Sequence, residues 1–291
     1  MKARALAIAI FTTILWSGSY IVNKVAFAQG IGPLTLSGLR YTIGGLALML
    51  VIRPEKGKPL PVKLGLFQGL LCYLVGQGFQ YIGQSMTDPT VSSLILNSGL
   101  VLVIVAVDRI RLHEAPGKST YWKAALLIAG MAVYYSPWSG GADVSIPVKA
   151  VVVLVLAAIG AGMNVALNRV RFVQGYERRT VTVLPMFFGG LMMLAAGLLT
   201  EQTPAFNWTL VACVAYLALG SGATGFGLWV WSQQTLTAVE SGAINNLMII
   251  EIAIMDVLFF SRVLTAWQWA GILIVFAAIN LLQFNGKKKT T

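Results

Sequence analysis

Three charged residues stand deep inside apolar runs: Arg40, Glu251 and Asp256. A charge at that depth costs about 2.5–3.5 kcal/mol on the insertion scale, so it normally faces a cavity or an opposite charge. Glu251 lies near the middle of its run, and Asp256 stands about a turn and a half further along. A carboxylate so placed is a candidate to bind a cationic group of a substrate or to exchange a proton. An Arg40–Glu251 or Arg40–Asp256 ion pair is the structural alternative. Amides come next. Gln77, Gln80 and Gln84 are spaced i, i+3, i+7 and so share one helix face. Asn97, Asn164, Asn245 and Asn246 must each find a partner inside a bilayer. Trp16 and Tyr20, at i and i+4, also share a face, and Tyr81 lies deep in its run. An aromatic-lined chamber suits an amine, an organic cation or a flat ring. The candidate binding set is therefore Trp16, Tyr20, Gln77, Gln80, Tyr81, Asn97, Asn245 and Glu251, with Arg40 and Asp256 as gating or ion-pair residues.

Other chemistries find no support. The sole histidine, His113, and two distant cysteines, Cys72 and Cys213, make neither a metal set nor a disulfide framework. No nucleophile–base pair occurs at helical spacing, so an enzyme is not expected, and no metal or cofactor is implied. The glycine-rich stretch from Gly220 to Gly227 lacks both the preceding strand and the Lys-Ser/Thr ending of a nucleotide loop. It reads as close helix packing or as a bend. Tyr121, Trp122, Trp138, Trp208, Trp267 and Trp269 fall at the ends of apolar runs and read as a membrane-interface belt.

The elements that position these groups follow from composition. The chain has 291 residues, 57% hydrophobic and 11% charged, with a mean hydropathy of +0.77. A soluble domain carries roughly 25% charged residues. The chain is therefore a polytopic membrane protein. Ten runs are long enough to span, at about 5–27, 34–52, 63–86, 89–108, 119–137, 147–168, 180–200, 208–234, 239–260 and 266–284. With the N-terminus inside, only Lys24, Lys149 and Arg262 of the 21 basic residues fall outside, apart from the intramembrane Arg40. That asymmetry predicts both termini in the cytoplasm and an even number of spans. It also accounts for the net charge of +11 through topology and anionic lipid, with no role for nucleic acid. Ten spans suffice to enclose a midplane site, so a monomer is the expected unit, with a homodimer as the alternative.

The two halves repeat. Asn23-Lys24-Val25 matches Asn168-Arg169-Val170, Gln29-Gly30 matches Gln174-Gly175, and Gly44-Gly45 matches Gly189-Gly190, all at an offset of 145. Thr87 and Trp122 align with Thr237 and Trp269 at offsets of 150 and 147. Five spans per copy force the second copy to enter the membrane upside down, which is the arrangement of alternating-access carriers. The expectation is an all-α integral membrane protein of ten transmembrane helices in two inverted five-helix repeats, 1–138 and 147–286. Under these offsets Glu251, Asp256 and Arg40 align with Val101, Ala106 and Pro185, so the fold's symmetry does not itself require the charges.

Leu15-Trp16-Ser17-Gly18-Ser19, followed by Pro33 and Leu39-Arg40-Tyr41, resembles the start of an EamA-type repeat of the drug/metabolite transporter superfamily. The run from Gln80 to Thr87, Ser92-Ser93-Leu94-Ile95-Leu96 and His113-Glu114 resemble its later part. Gly227-Leu228-Trp229-Val230-Trp231 and Ile250-Glu251-Ile252 resemble helices eight and nine. The family's Glu-Pro pair reads Glu251-Ile252 here, Leu100 stands at the usual proline of helix four, and Ser261-Arg262 replaces a Gly-Glu. The resemblance implies a secondary carrier in the cytoplasmic membrane, most readily an exporter of amino acids or related metabolites. An importer of organic cations or amines, or a non-transporting membrane partner protein, are the alternatives.

Overall fold

The computed structural model describes residues 2–52, 61–112, 118–135, 147–177, 179–236 and 238–284. His113 and Trp138 lie outside them. The described residues form ten helical spans. These are α1 (Lys2–Ala28), α2 (Pro33–Val51), α3 (Val62–Ser85), α4 (Pro89–Leu112) and α5 (Lys118–Tyr134). The second set is α6 (Val148–Val173), α7 (Val181–Thr200), α8 (Trp208–Ser232), α9 (Glu240–Phe260) and α10 (Ala266–Phe284). Six of them, α1, α2, α3, α7, α8 and α9, are long and apolar enough to cross a membrane, and α5, α6 and α10 hold shorter apolar stretches. Gly30 and Gly175, equivalent at the offset of 145, both take positive φ (85° and 81°) just past the ends of α1 and α6. Neither would meet an atom on gaining a Cβ, so backbone conformation alone asks for glycine there.

Helices pack into two groups, each with its own core. Leu36, Tyr81, Met186, Met193 and Leu217 centre the first, drawn mainly from α1, α2, α3, α7 and α8. Leu94, Leu127, Ile249, Ile272 and Val275 centre the second, from α4, α5, α9 and α10 with Leu154 of α6. Inside the first group α2 and α7 run antiparallel against each other on glycine. A Cβ on Gly38 would lie 2.4 Å from the Leu194 nitrogen, and one on Gly190 2.5 Å from the Thr42 nitrogen. Backbones this close gain dispersion that no larger residue permits, which is how helices associate without a hydrophobic driving force.

The N-terminus of α2 is closed from the other repeat. Its N-cap, Gly32, has no side chain to offer. The Glu201 carboxylate at the end of α7 accepts instead from the Leu34 and Thr35 amides (both 2.8 Å) and from the Thr35 hydroxyl (2.7 Å). An anion at a helix N-terminus satisfies orphan donors and meets the positive end of the dipole. A Cβ on Gly32 would fall 2.1 Å from that carboxylate, so the missing side chain makes room for the cap.

The third helix of each repeat departs from α winding at the same place. Gly69–Gly78 in α3 and Tyr216–Thr224 in α8 are π-helical. Helix α9 is interrupted between Asn246 and Met248, although no proline stands there. Tyr121, Trp122, Trp208 and Trp267 are exposed at span ends, as an interface belt requires. Trp269 is not: it packs against the second core. Two positions past the exposed Trp267, a rotation of about 200°, it falls on the α10 face that meets that core.

Candidate substrate site

Thr13, Ser17 and Tyr20 are spaced i, i+4, i+7 and line one face of α1. Glu251, on α9 of the other helix group, reaches that face. Its Oε1 accepts from the Thr13 hydroxyl (2.9 Å) and its Oε2 from the Ser17 hydroxyl (2.7 Å). No basic side chain pairs with Glu251 among the described residues, and the residue is only half-buried. The structural alternative, an Arg40–Glu251 ion pair, does not form among the described residues, where two hydroxyls meet the carboxylate instead. Thr13 lies 2.7 Å from the Ile10 carbonyl as well. Its single proton serves either Ile10 or Glu251, so the geometry accommodates a charged and a protonated Glu251 alike.

Between those two hydroxyls α1 presents Trp16. Its indole N–H donates to the Ser221 carbonyl (2.9 Å), inside the π segment of α8. Its ring lies 5.4 Å from Phe226 and 5.1 Å from Trp229, both tilted. A Cβ on Gly225 would come 2.8 Å from the indole nitrogen, so the glycine-rich stretch makes room for Trp16. The result is an aromatic wall on the helix that meets a carboxylate with no cation among the described residues.

Further along the same face stands Tyr20, buried, and with it Arg40 from α2. Arg40 donates to the Tyr81 hydroxyl (2.7 Å) and its guanidinium lies 5.3 Å from the Tyr41 ring centroid. Tyr41 in turn donates to Gln77 Oε1 (2.5 Å), in the π segment of α3. Gln84 accepts from Asn23 (2.7 Å). Two of the three glutamines thus bond to neighbouring helices. Gln80 and Asn245 are half-buried, while Asn97 turns back onto the Ser93 carbonyl of its own helix (2.8 Å). Asn164 accepts from Gln68 (2.7 Å), which also bonds Asn168 and Arg171, at the other end of α3.

Asp256 belongs to a different place. It is fully buried, accepting from the Thr90 hydroxyl (2.7 Å) and from Arg262 (3.1 Å). The same Arg262 nitrogen reaches Asp88 (3.2 Å), which also holds Lys24 (2.5 Å). In place of an Arg40–Asp256 pair, the other structural alternative, Asp256 joins this cluster, which ties α1 and the start of α4 to the end of α9. Burial works against the Arg262 charge, but Tyr134, Asp88 and Asp256 outweigh it and hold its pKa above the usual arginine range. Ser261 turns the chain toward Asp256 with a left-handed φ of 52°. Sequence reasoning missed Thr13 and Ser17, although two hydroxyls at i, i+4 in an apolar helix are a readable signal. It also missed Thr90 and the ends of the cluster, which only the packing brings together.

Comparison with known proteins accounts for this architecture. The EamA-like transporter profile matches residues 3–136 and again 148–284. The chain belongs to the EamA-like transporter family. An uncharacterized transporter of Bacillus subtilis (strain 168), YvbV, is 27% identical over 98% of this chain and 93% of its own length. A second from the same organism, YoaV, is 25% identical over 76% of each chain. A solved crystal structure superposes with a TM-score of 0.66, covering 99% of this chain and 100% of that one at 16% identity, which speaks to the fold alone. As an EamA-like protein the chain is a multi-pass membrane transporter built of two inverted five-helix repeats.

Proposed function

We propose that this EamA-like protein is a secondary active carrier that exports amino acids or related amine-bearing metabolites across the cytoplasmic membrane by alternating access, with both termini in the cytoplasm. The observation that carries this reading is Glu251. It is a carboxylate in the span of α9, held by two hydroxyls of α1, free of any basic partner among the described residues and flanked by Trp16. A substrate ammonium supplies the missing charge, and the indole face attracts it by cation–π interaction. The contact joins the two helix groups, so occupancy of Glu251 bears directly on how the groups sit against each other. Thr13 offers an acceptor if Glu251 is protonated, so a proton can take the place of the ammonium on the return step.

At the far end, the Lys24–Asp88–Arg262–Asp256 cluster ties the same groups. In this reading it opens when that end opens, and Asp256 keeps a gating role. The aromatic wall of Trp16, Phe226 and Trp229 also favours the alternative of small organic cations. Counterflow in proteoliposomes decides. Vesicles loaded with single amino acids, amines or nucleobases are assayed for labelled uptake, with Glu251→Gln in parallel. Stimulation by amine-bearing compounds that is lost in the variant supports the reading. Counterflow that Glu251→Gln leaves unchanged in rate and pH dependence removes Glu251 from the site.

A further inference from the structure

Arg40 is more than nine-tenths buried, yet it faces no carboxylate among the described residues. Its one hydrogen bond goes to a neutral phenol, and its Nε is buried without a partner. Aromatic rings pack about it: the Tyr81 hydroxyl accepts from it, the Tyr41 ring lies 5.3 Å away, and Tyr73 and Tyr81 stand edge-on to Tyr41 at 5.4 and 6.3 Å. Burying a guanidinium without an anion is expensive, and a folded protein normally pairs it. Arg262 shows how this chain does so elsewhere, with two carboxylates on one nitrogen.

We propose that the anion missing at Arg40 is a carboxylate of the transported molecule, received by the guanidinium and the phenols around it. A planar fork of donors matches a carboxylate in two parallel bonds, and the Tyr81 hydroxyl, which accepts from Arg40, keeps its own proton to donate without adding charge. The position fits the transport reading above, on which this inference rests. Glu251 meets α1 at Ser17, and Arg40 lies beside Tyr20, about 4.5 Å further along the same face. Opposite charges directed at neighbouring turns of α1 complement a molecule that carries an ammonium and a carboxylate together. The sum of the two protein charges is zero, so a zwitterion of zero net charge leaves the site neutral. A phosphate dianion next to Glu251 does not. The two π segments serve the arrangement. One supplies Tyr73 and Gln77, the other Tyr216 and the Ser221 carbonyl, and π turns recur at functional sites.

The test removes the carboxylate and keeps the amine. Counterflow is measured for L-leucine and L-phenylalanine, for leucinamide and phenylalaninamide, and for isopentylamine and phenethylamine, on wild type, Arg40→Gln and Arg40→Lys. Melting of each purified protein is followed with each probe. Wild type is expected to prefer the acids by at least about 100-fold in kcat/KM, because a site built for a polar group rejects the analogue lacking it. Arg40→Gln is expected to lose that preference while still carrying the amines, and Arg40→Lys to recover part of it. If Arg40→Gln does not fold, the wild-type preference decides alone. Amines and amides carried as fast as the acids overturn the carboxylate site and leave the amine carrier standing. Arg40→Gln carrying the acids with unchanged KM overturns it too. Silence and no melting shift with every probe overturn both this inference and the transport reading.

Discussion

Glu251 and Asp256 stand five positions apart on α9, and the protein surrounds them in opposite ways. Asp256 is sealed, with a hydroxyl and a shared arginine on one oxygen. Glu251 is half-open, with a hydroxyl on each oxygen and no cation among the described residues. The Glu251 contact crosses directly between the two helix groups, whereas Asp256 is held within the second group and reaches α1 only through Asp88 and Lys24. Asp256 has its cation within the protein, although its other oxygen is buried without a partner, and Glu251 has none among the described residues. The same contrast separates Arg262 from Arg40. Charge completed within the protein marks the far end of the molecule, and charge left open marks its middle.

Changes at the two places should therefore separate stability from transport. Arg262→Ala leaves Asp256 buried without a cation and should cost about 3–5 kcal/mol. Thermal unfolding in detergent reads this as a large drop in melting temperature, and an unchanged melt would erase the contrast. Glu251→Gln keeps hydrogen-bonding capacity toward Thr13 and Ser17 but removes the charge. Its melt should stay close to wild type while transport falls about 10–100-fold, the worth of a charge-assisted bond. A variant that melts like Arg262→Ala would show that Glu251 is structural after all. Ser17→Ala removes one neutral donor and should slow transport about 3–10-fold, with KM rather than folded yield recording the loss. The smallest effect belongs to Ser261. Replacing it by glycine relieves a left-handed backbone that costs a side chain roughly 1–2 kcal/mol, less the entropy glycine adds. A gain of up to about 1 kcal/mol in stability with transport per molecule unchanged is expected.

How much of this was legible depended on distance along the chain. Spans, their number and the inverted repeat follow from apolar runs and from Gln29-Gly30 recurring as Gln174-Gly175, and both glycines take the same backbone conformation. Glu251 stood out because a charge in an apolar run must have a reason. Its partners were hidden among ordinary serines and threonines, since a hydroxyl in a helix usually bonds its own backbone, as Thr12 does with Ile8. The cluster around Arg262 was illegible for another reason. Lys24 sits near the end of a span and Asp88 and Arg262 look like loop charges, and only the fold shows that the helix end and the two loops meet. The π segments leave no pattern in composition, because their wider turns answer to tertiary contacts.

The cap that Glu201 places on α2 has a consequence in time. The two groups are separated by 166 positions. At synthesis rates of about 5–20 residues per second, Glu201 emerges roughly 8–33 s after Thr35. During that interval α2 sits in the membrane with open amides at its start, and it has not yet met α7, its antiparallel neighbour. The first repeat is thus born unfinished. A chain arrested before residue 201 should present α2 as a loosely held segment, which makes α7 a checkpoint for biogenesis as well as a wall of the transporter.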